Sequence, residues 1–185
     1  MDALALLVVD VQSALIELIP NGGEILKRTA FSVEASNLLE IQCLYSEQVP
    51  EKLKSTSSIL LEAGLKEAPC FHKNTFSALQ SPGLIEHLNA KGIEHLLIAG
   101  IELPICIYQT AMDAVKAGFE VTLLSDCIGA RRSQDAQAII CALQKTKVHW
   151  LPSEAVFYSI LGSAEHPDFR AFTQLVKKYQ STEVK

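Results

Sequence analysis

Short apolar runs alternate along the chain with longer segments in which apolar residues recur every three or four positions. Runs of this kind, apolar nearly throughout, are typical of strands that are covered on both faces, as in a parallel sheet. They predict strands over residues 4–9, 40–45, 68–72, 95–99, 120–125 and 147–151.

The segments between these runs have the spacing of amphipathic helices. Helices are predicted over 22–36, 81–91, 104–117, 134–145 and 167–179. Pro104 suits a first helical turn and Gly118 suits a helix end. The alternation of strands and helices predicts an α/β protein with a three-layer αβα Rossmann-like fold and a central, mainly parallel six-stranded sheet. Residues 46–67 are less regular and predict a long loop with one short helix.

Length and composition favour one globular domain. The 185 residues are 49% hydrophobic and 20% charged, which excludes a disordered protein, a collagen and a coiled coil. We expect a domain over residues 1–180 and a frayed tail at 181–185. The apolar start has no basic region and is interrupted by Asp10, so it predicts a buried strand, not a signal peptide.

Charge and cysteine usage limit the partners. The net charge is −5, and runs of Lys or Arg are no longer than two residues, so we expect no nucleic-acid partner. No run of apolar residues is long enough to predict a membrane span. The five cysteines are odd in number and form no C-x-x-C pair, which favours a reducing, cytoplasmic location.

Three polar residues are the candidates for chemistry, because ligands bind at the carboxyl ends of strands in open α/β sheets. Asp10 ends the first strand, Lys73 ends the third, and Cys106 lies near the start of a helix, where partial positive charge favours a thiolate. Together they form a plausible nucleophilic set. The alternatives are a turn aspartate, a solvated lysine and a buried thiol. The first turn has no glycine, which argues against a dinucleotide cofactor, and no other cofactor is indicated.

Three segments resemble, in the same order, motifs of the isochorismatase-like cysteine hydrolases. Residues 6–12 (LLVVDVQ) resemble the family's opening, residues 73–78 (KNTFSA) its lysine segment, and residues 100–106 (GIELPIC) its cysteine segment. The similarity is greatest to the isochorismatase-domain-containing branch.

The resemblance implies a role for each residue. Asp10 matches the general base, Lys73 the lysine of the triad and Cys106 the nucleophile. It further implies a cis peptide bond between Ile101 and Glu102, and an oxyanion hole formed by the backbone N–H groups of Glu102 and Cys106. The implied protein is a metal-independent cysteine hydrolase that cleaves a small amide or related C–N bond through a thioester, and it forms a homodimer or larger homo-oligomer.

Further residues are candidates with open alternatives. Gln12 is expected in the pocket or in a turn, Phe76 in the pocket wall or the core, and Gln48 against substrate or a neighbouring subunit. Arg131 and Arg132 could attract a carboxylate substrate or be solvated. We expect no catalytic metal, because residues 43–54 lack the histidines found there in the nicotinamidase branch. The histidines are scattered without ligand spacing: His72, His87, His95, His149 and His166.

Two other function classes fit the same sequence. One is a non-catalytic oligomeric scaffold or metabolite-binding protein on the same fold. The other is redox sensing through Cys106, for which Cys127 is the candidate resolving cysteine.

Overall fold

The computed structural model describes residues 3–180, and the tail predicted at 181–185 lies outside the described residues. Six strands pair in the order β3-β2-β1-β4-β5-β6, and every neighbouring pair is parallel. This confirms the predicted α/β class and six-stranded sheet. The strands are β1 (Leu4–Val9), β2 (Gln42–Gln48), β3 (Cys70–Lys73), β4 (His95–Ile101), β5 (Glu120–Gly129) and β6 (His149–Leu151).

Helices cover both faces of the sheet. In chain order they are α1 (Ser13–Ile16), α2 (Gly22–Leu38), α3 (Pro50–Leu53), α4 (Ser58–Glu62), α5 (Leu84–Ala90), α6 (Tyr108–Lys116), α7 (Ser133–Leu143), α8 (Ser153–Leu161) and α9 (Phe169–Tyr179). Single turns of 3₁₀-helix occur at Leu65–Glu67 and Ala78–Gln80, and one turn of π-helix at Leu103–Ile107. Across residues 3–180, no helix combines the length and apolarity needed to cross a membrane.

Alternate strand residues separate the core into two layers. On one face, Leu7 and its neighbours pack against α5, α6 and α7. On the other face, Leu6 and its neighbours pack against α1, α2 and α4. The aromatic rings of Phe31, Phe157 and Phe172 then join α2 to α8 and α9. Helix layers on both sides of one sheet give the predicted three-layer arrangement.

The order of the strands reverses between β1 and β4, because the chain adds strands first on one side of β1 and then on the other. A crevice at such a point, beside the carboxyl ends of the strands, is where open α/β sheets bind ligands. Asp10 follows β1 and Glu102 follows β4, so both residues lie at this edge.

Several predicted boundaries were wrong near this edge. β2 continues through Ser46 to Gln48, so these polar residues belong to the sheet and not to a loop. Lys73 is the last residue of β3, as predicted, and pairs there with Gln48, whereas the strand begins at Cys70 and not at residue 68. The rest of the segment predicted as loop, up to residue 67, contains α3, α4 and a 3₁₀ turn.

The helix predicted over 104–117 also begins differently. The carbonyl of Glu102 accepts hydrogen bonds from the N–H groups of Ile105 at 3.0 Å and Ile107 at 3.2 Å. The second bond spans five residues and opens the first turn into a π-helical turn, which precedes α6. Cys106 lies in this turn, and π-helical turns are frequent at functional sites.

The two central strands approach each other closely at Gly100. Gly100 pairs with Val9 and has a φ of 124°, a conformation that residues with a side chain rarely adopt. A Cβ added to Gly100 would lie 2.1 Å from the carbonyl oxygen of Val9. Because Asp10 follows Val9, this contact sets the distance between the two strands that end at the crevice.

We therefore expect the substitution Gly100→Ala to lower the free energy of unfolding by about 3 kcal/mol, through backbone strain and steric overlap. Gly118→Ala is the matched control, since Gly118 has a φ of 96° but its added Cβ would meet no heavy atom of the described chain within 4 Å. The control should lose about 1 kcal/mol in urea-induced unfolding. An equal loss of unfolding free energy in Gly100→Ala and Gly118→Ala would show that the close contact between Gly100 and Val9 does not contribute to stability.

Candidate active site

The side chains of Asp10, Lys73 and Cys106 meet at the carboxyl edge of the sheet. Lys73 Nζ lies 2.6 Å from Asp10 Oδ2 and 3.7 Å from Cys106 Sγ. The Asp10 and Cys106 side chains also lie close enough for each to change the pKa of the other. All three residues are buried. The structure thus brings together the three residues that the sequence analysis selected, one each from β1, β3 and the turn after β4.

Asp10 is held in place by β2. Its φ is 55°, a left-handed conformation that aspartate tolerates better than most residues. Its N–H donates to the carbonyl of Ser46 at 3.0 Å, and Ser46 Oγ donates to Asp10 Oδ1 at 2.8 Å. One carboxylate oxygen is therefore fixed by Ser46, and the other faces Lys73. The sequence analysis did not identify Ser46, because the residue only reaches Asp10 once β1 and β2 pair.

Lys73 is surrounded by oxygen acceptors. In addition to its ion pair with Asp10, its ammonium group donates to Gln48 Oε1 at 2.6 Å and to the carbonyls of Phe76 at 3.0 Å and Thr75 at 3.2 Å. The turn after β3 folds back to supply the two carbonyls. A buried ammonium requires such partners, since burial without them is costly. The solvated-lysine alternative is therefore wrong.

Cys106 is oriented by the π-helical turn. The Ile101–Glu102 peptide bond is cis, at the position that the family resemblance implied. The backbone N–H of Glu102 lies near the Cys106 sulfur and lowers the pKa of the thiol. The donor therefore faces the same space as the thiol.

Burial changes the proton affinities of the site. It raises the pKa of Asp10, against the opposing effect of the Lys73 charge. Burial, followed by the nearby charge of Asp10, raises the pKa of the Cys106 thiol to about 12, while Lys73 lowers it. Burial and the charge of Asp10 therefore oppose the thiolate that the helix start was expected to favour.

A cavity of about 250 Å³ opens above Cys106. Its wall is mainly apolar, with polar groups from four residues. The lining residues are Leu15, Leu18, Ile19, Gln48, Leu53, Phe76, Ile101, Glu102, Ile105, Cys106 and Arg131. A wider depression lies at the opposite edge of the sheet, where β1, β4 and β5 begin.

An ion pair lies in the cavity wall. Arg131 Nε donates to Glu102 Oε2 at 2.8 Å, and the Arg131 N–H donates to Glu102 Oε1 at 3.1 Å. Glu102 thus binds the Nε of Arg131, while the Arg131 side chain stays 54% exposed. Arg132 instead pairs with Asp135 on α7. The Glu102–Arg131 pair joins the turn after β4 to the end of β5.

The candidate substrate-binding residues take different positions. Gln48 and Phe76 both line the cavity, and Phe76 is 54% exposed, so it is not a core residue. Gln12 is fully buried, and its carboxamide donates to the carbonyls of Gln48 and Lys54 and accepts from the Gln48 N–H. Of its two predicted positions, pocket or turn, these contacts favour the turn: Gln12 does not line the cavity and positions the segment that carries Gln48.

The structure gives Cys106 no resolving cysteine at Cys127. Cys127 belongs to the core layer on the other face of the sheet, and its sulfur lies 3.2 Å from Ser32 Oγ. Cys106 belongs to the layer that packs against α5, α6 and α7. The sheet separates the two thiols, so the redox alternative loses its candidate pair.

The raised pKa of Cys106 predicts slow alkylation at neutral pH. The rate of reaction with iodoacetamide, measured for the Cys106 peptide by mass spectrometry, should at pH 7 be about tenfold or more below that of a free cysteine peptide of pKa about 8.5, and should still rise above pH 9. Asp10→Asn should accelerate alkylation, because it removes the negative charge that raises the pKa. Lys73→Ala should slow it. A rate that is already constant below pH 8 in the unmodified protein would indicate a resting thiolate and contradict this assignment.

Comparison with known proteins identifies the family. A family model described as the isochorismatase domain matches residues 4–154. Isochorismatase domain-containing protein 1 of Salmo salar is 26% identical over 155 residues, which cover 84% of this chain and 54% of that protein, so the chain spans about half the length of this relative. Isochorismatase family protein 1B of Dictyostelium discoideum is 23% identical over 178 residues, covering 94% of this chain and 86% of that protein.

The fold comparison agrees. The structure described as MAR1 ribonuclease from Caenorhabditis elegans matches with a TM-score of 0.89 and 26% identity, covering 95% of this chain and 90% of that one. Since the family model covers most of the chain, and its region contains Asp10, Lys73 and Cys106, this protein belongs to the isochorismatase family.

Proposed function

We propose that the protein is a cysteine hydrolase that cleaves a small amide or related C–N bond through a thioester on Cys106, without a catalytic metal. The observation that carries this proposal is the buried contact among Asp10, Lys73 and Cys106 at the cavity. These residues supply a nucleophile, a proton acceptor and a fixed positive charge, which are the requirements of covalent acyl transfer.

The first step is the activation of Cys106. Asp10 takes the thiol proton as the sulfur attacks the carbonyl carbon of the substrate, so a C–S bond forms while the C=O bond becomes a C–O⁻ group. The raised pKa of Asp10 suits this role, because a more basic carboxylate accepts a proton more readily. Lys73 contacts both groups and stabilises the negative charge, whether it is on Asp10 or on the sulfur.

The oxyanion is held by backbone N–H groups of the turn that carries Cys106. The Glu102 N–H already faces the Cys106 sulfur, and with the N–H of Cys106 it forms the proposed oxyanion hole. Each donor in such a hole contributes about 3–4 kcal/mol to the stability of the transition state. The C–N bond then breaks, Asp10 returns its proton to the leaving amine, and water hydrolyses the thioester to a carboxylic acid and the free thiol.

The cavity favours a small, uncharged substrate with an apolar portion. Its volume is about 250 Å³, and aliphatic side chains and Phe76 form most of the wall. The two cations at the site, Lys73 and Arg131, are each paired with a carboxylate. This arrangement favours a neutral amide over a phosphodiester, even though a similar structure is described as a ribonuclease.

The alternative is a non-catalytic scaffold or metabolite-binding protein. A scaffold would need only the fold and its outer surface. The buried Lys73–Asp10 pair is instead fully enclosed, with side-chain relative exposures of 0% for both residues, and it contacts a thiol at a cavity. Charges placed in this way favour the enzyme, because a buried pair is a poor source of stability.

Substitution of Cys106 tests the reaction. Ammonia or amine release from a panel of small aliphatic and aromatic amides should fall by about 10³-fold or more in Cys106→Ala, since no thioester can form. Intact-protein mass spectrometry should detect the acyl adduct in the unmodified protein. Cys141→Ser, which changes an exposed cysteine, is the control and should retain activity. Turnover that survives in Cys106→Ala, or release of nucleotides from RNA in place of amines from amides, would refute the proposal.

Ser46 should act as a positioning residue with a pH signature. Its hydrogen bond lowers the pKa of Asp10, so Ser46→Ala should raise that pKa further and move the acidic limb of kcat/KM to higher pH, because catalysis requires the carboxylate form. We expect kcat to fall by about tenfold with a smaller effect on KM. Ser46→Thr retains the hydroxyl and should restore the pH profile. If the acidic limb of kcat/KM does not shift in Ser46→Ala, the hydrogen bond from Ser46 does not set the pKa of Asp10.

A further inference from the structure

A second group of reactive side chains lies on the opposite face of the sheet from Cys106. It consists of Glu47 on β2 and Cys70 and His72 on β3, here called the edge-strand triad. A carboxylate oxygen, the sulfur and an imidazole nitrogen from these residues all lie within 4.8 Å of one another. His72 Nε2 is 3.4 Å from Glu47 Oε2. The proposed hydrolase chemistry uses none of these residues.

The pairing of two parallel strands creates this triad. Glu47 pairs with His72, and Cys70 lies two residues before His72 on the same strand. Side chains two residues apart on a strand point to the same face, whereas their immediate neighbours point to the other face. Gln48 and Lys73 therefore face the cavity with Cys106, and the edge-strand triad faces away from it.

The donor set has the composition of a zinc site. Zinc binds thiolate, imidazole and carboxylate in a tetrahedral arrangement with bonds of about 2.0–2.3 Å, which places neighbouring ligand atoms about 3.3–3.8 Å apart. The spacing of His72 and Glu47 already falls in this range. Calcium and magnesium prefer oxygen ligands and do not suit a cysteine and a histidine.

Glu47 has the surroundings of a metal ligand. Its side chain is 8% exposed, and the Thr56 N–H donates to Oε1 at 2.6 Å, which leaves Oε2 directed at His72. Hydrogen bonds of this kind orient metal-binding carboxylates. Within residues 3–180, no lysine or arginine nitrogen lies within 4.0 Å of this carboxylate, so its charge is not compensated by a permanent cation. A divalent ion would supply that compensation.

We propose that Glu47, Cys70 and His72 bind one Zn²⁺ ion, with water as the fourth ligand on the exposed side of His72. The Cys70 thiol loses its proton to solvent as the Zn–S bond forms. Because β3 is a four-residue edge strand, the ion would fasten it to β2. The bound ion would thereby hold Lys73, the residue after His72, at its place in the site on the other face.

Zinc titration of the full-length protein tests the site directly. We expect isothermal titration calorimetry to give one Zn²⁺ per chain, with affinity reduced about tenfold or more in Cys70→Ser and in His72→Gln. His72→Gln changes an exposed side chain, so it should fold even if Cys70→Ser does not. Cys141→Ser and His149→Gln alter exposed residues of the same types elsewhere and should bind zinc as the unmodified protein does.

Cobalt and a Cys106 variant identify the ligand thiol. Co²⁺ bound to the protein should show a thiolate charge-transfer band that is absent in Cys70→Ser and retained in Cys106→Ala. Loss of the band in Cys106→Ala would place the metal at the other thiol and overturn the proposal. Failure to bind zinc, or equal affinity in the His72→Gln variant, would also overturn it. None of these measurements depends on hydrolysis, so their outcome tests the zinc site independently of the proposed reaction.

Discussion

The buried ion pair between Lys73 and Asp10 is the interaction on which the rest of the site depends. The two groups are 2.6 Å apart and fully enclosed, so neither charge is stabilised by bulk water. Removing one partner of such a pair typically costs about 3–5 kcal/mol, because the other is left buried and uncompensated. The pair also joins β1 to β3 across β2. This explains why β2 ends in polar residues: Ser46 hydrogen-bonds to Asp10, and Gln48 hydrogen-bonds to Lys73.

The fold supplies the remaining geometry. Strand order reverses between β1 and β4, and their carboxyl ends therefore leave a crevice. Gly100 allows these two strands to approach closely just before that edge, and the chain then enters the π-helical turn that carries Cys106. A thiol placed in this way is buried beside a carboxylate, and its pKa is raised as a result. In the proposed reaction, the thiolate therefore forms by proton transfer from Cys106 to Asp10.

The sequence could predict the fold and the three central residues of the site because their signals are local. Asp10 interrupts an apolar strand, and Cys106 follows Pro104 at a helix start, so each stands out within a few positions. Ser46 gave no comparable signal, and the sequence left the position of Gln12 open between pocket and turn. Ser46 depends on the register of β1 against β2, and Gln12 depends on where the chain returns at Lys54. The burial that raises the pKa of Cys106 is a property of the assembled core and cannot be predicted from a helix start.

Like Ser46, the edge-strand triad forms only when strands pair, so its residues give no local signal in the sequence. The same two strands, β2 and β3, place functional side chains on both faces of the sheet. Spacing along the chain gave no metal-binding pattern, because Glu47 is separated from Cys70 and His72 by α3, α4 and a 3₁₀ turn. Parallel pairing brings them together, and the two-residue repeat of a strand assigns successive residues to opposite faces. Glu47 and His72 therefore meet on one face while Gln48 and Lys73 meet on the other. A metal bound by the first pair would act on the second only through the position of the β3 backbone, which makes it a positioning element for Lys73 and not a participant in the chemistry of Cys106.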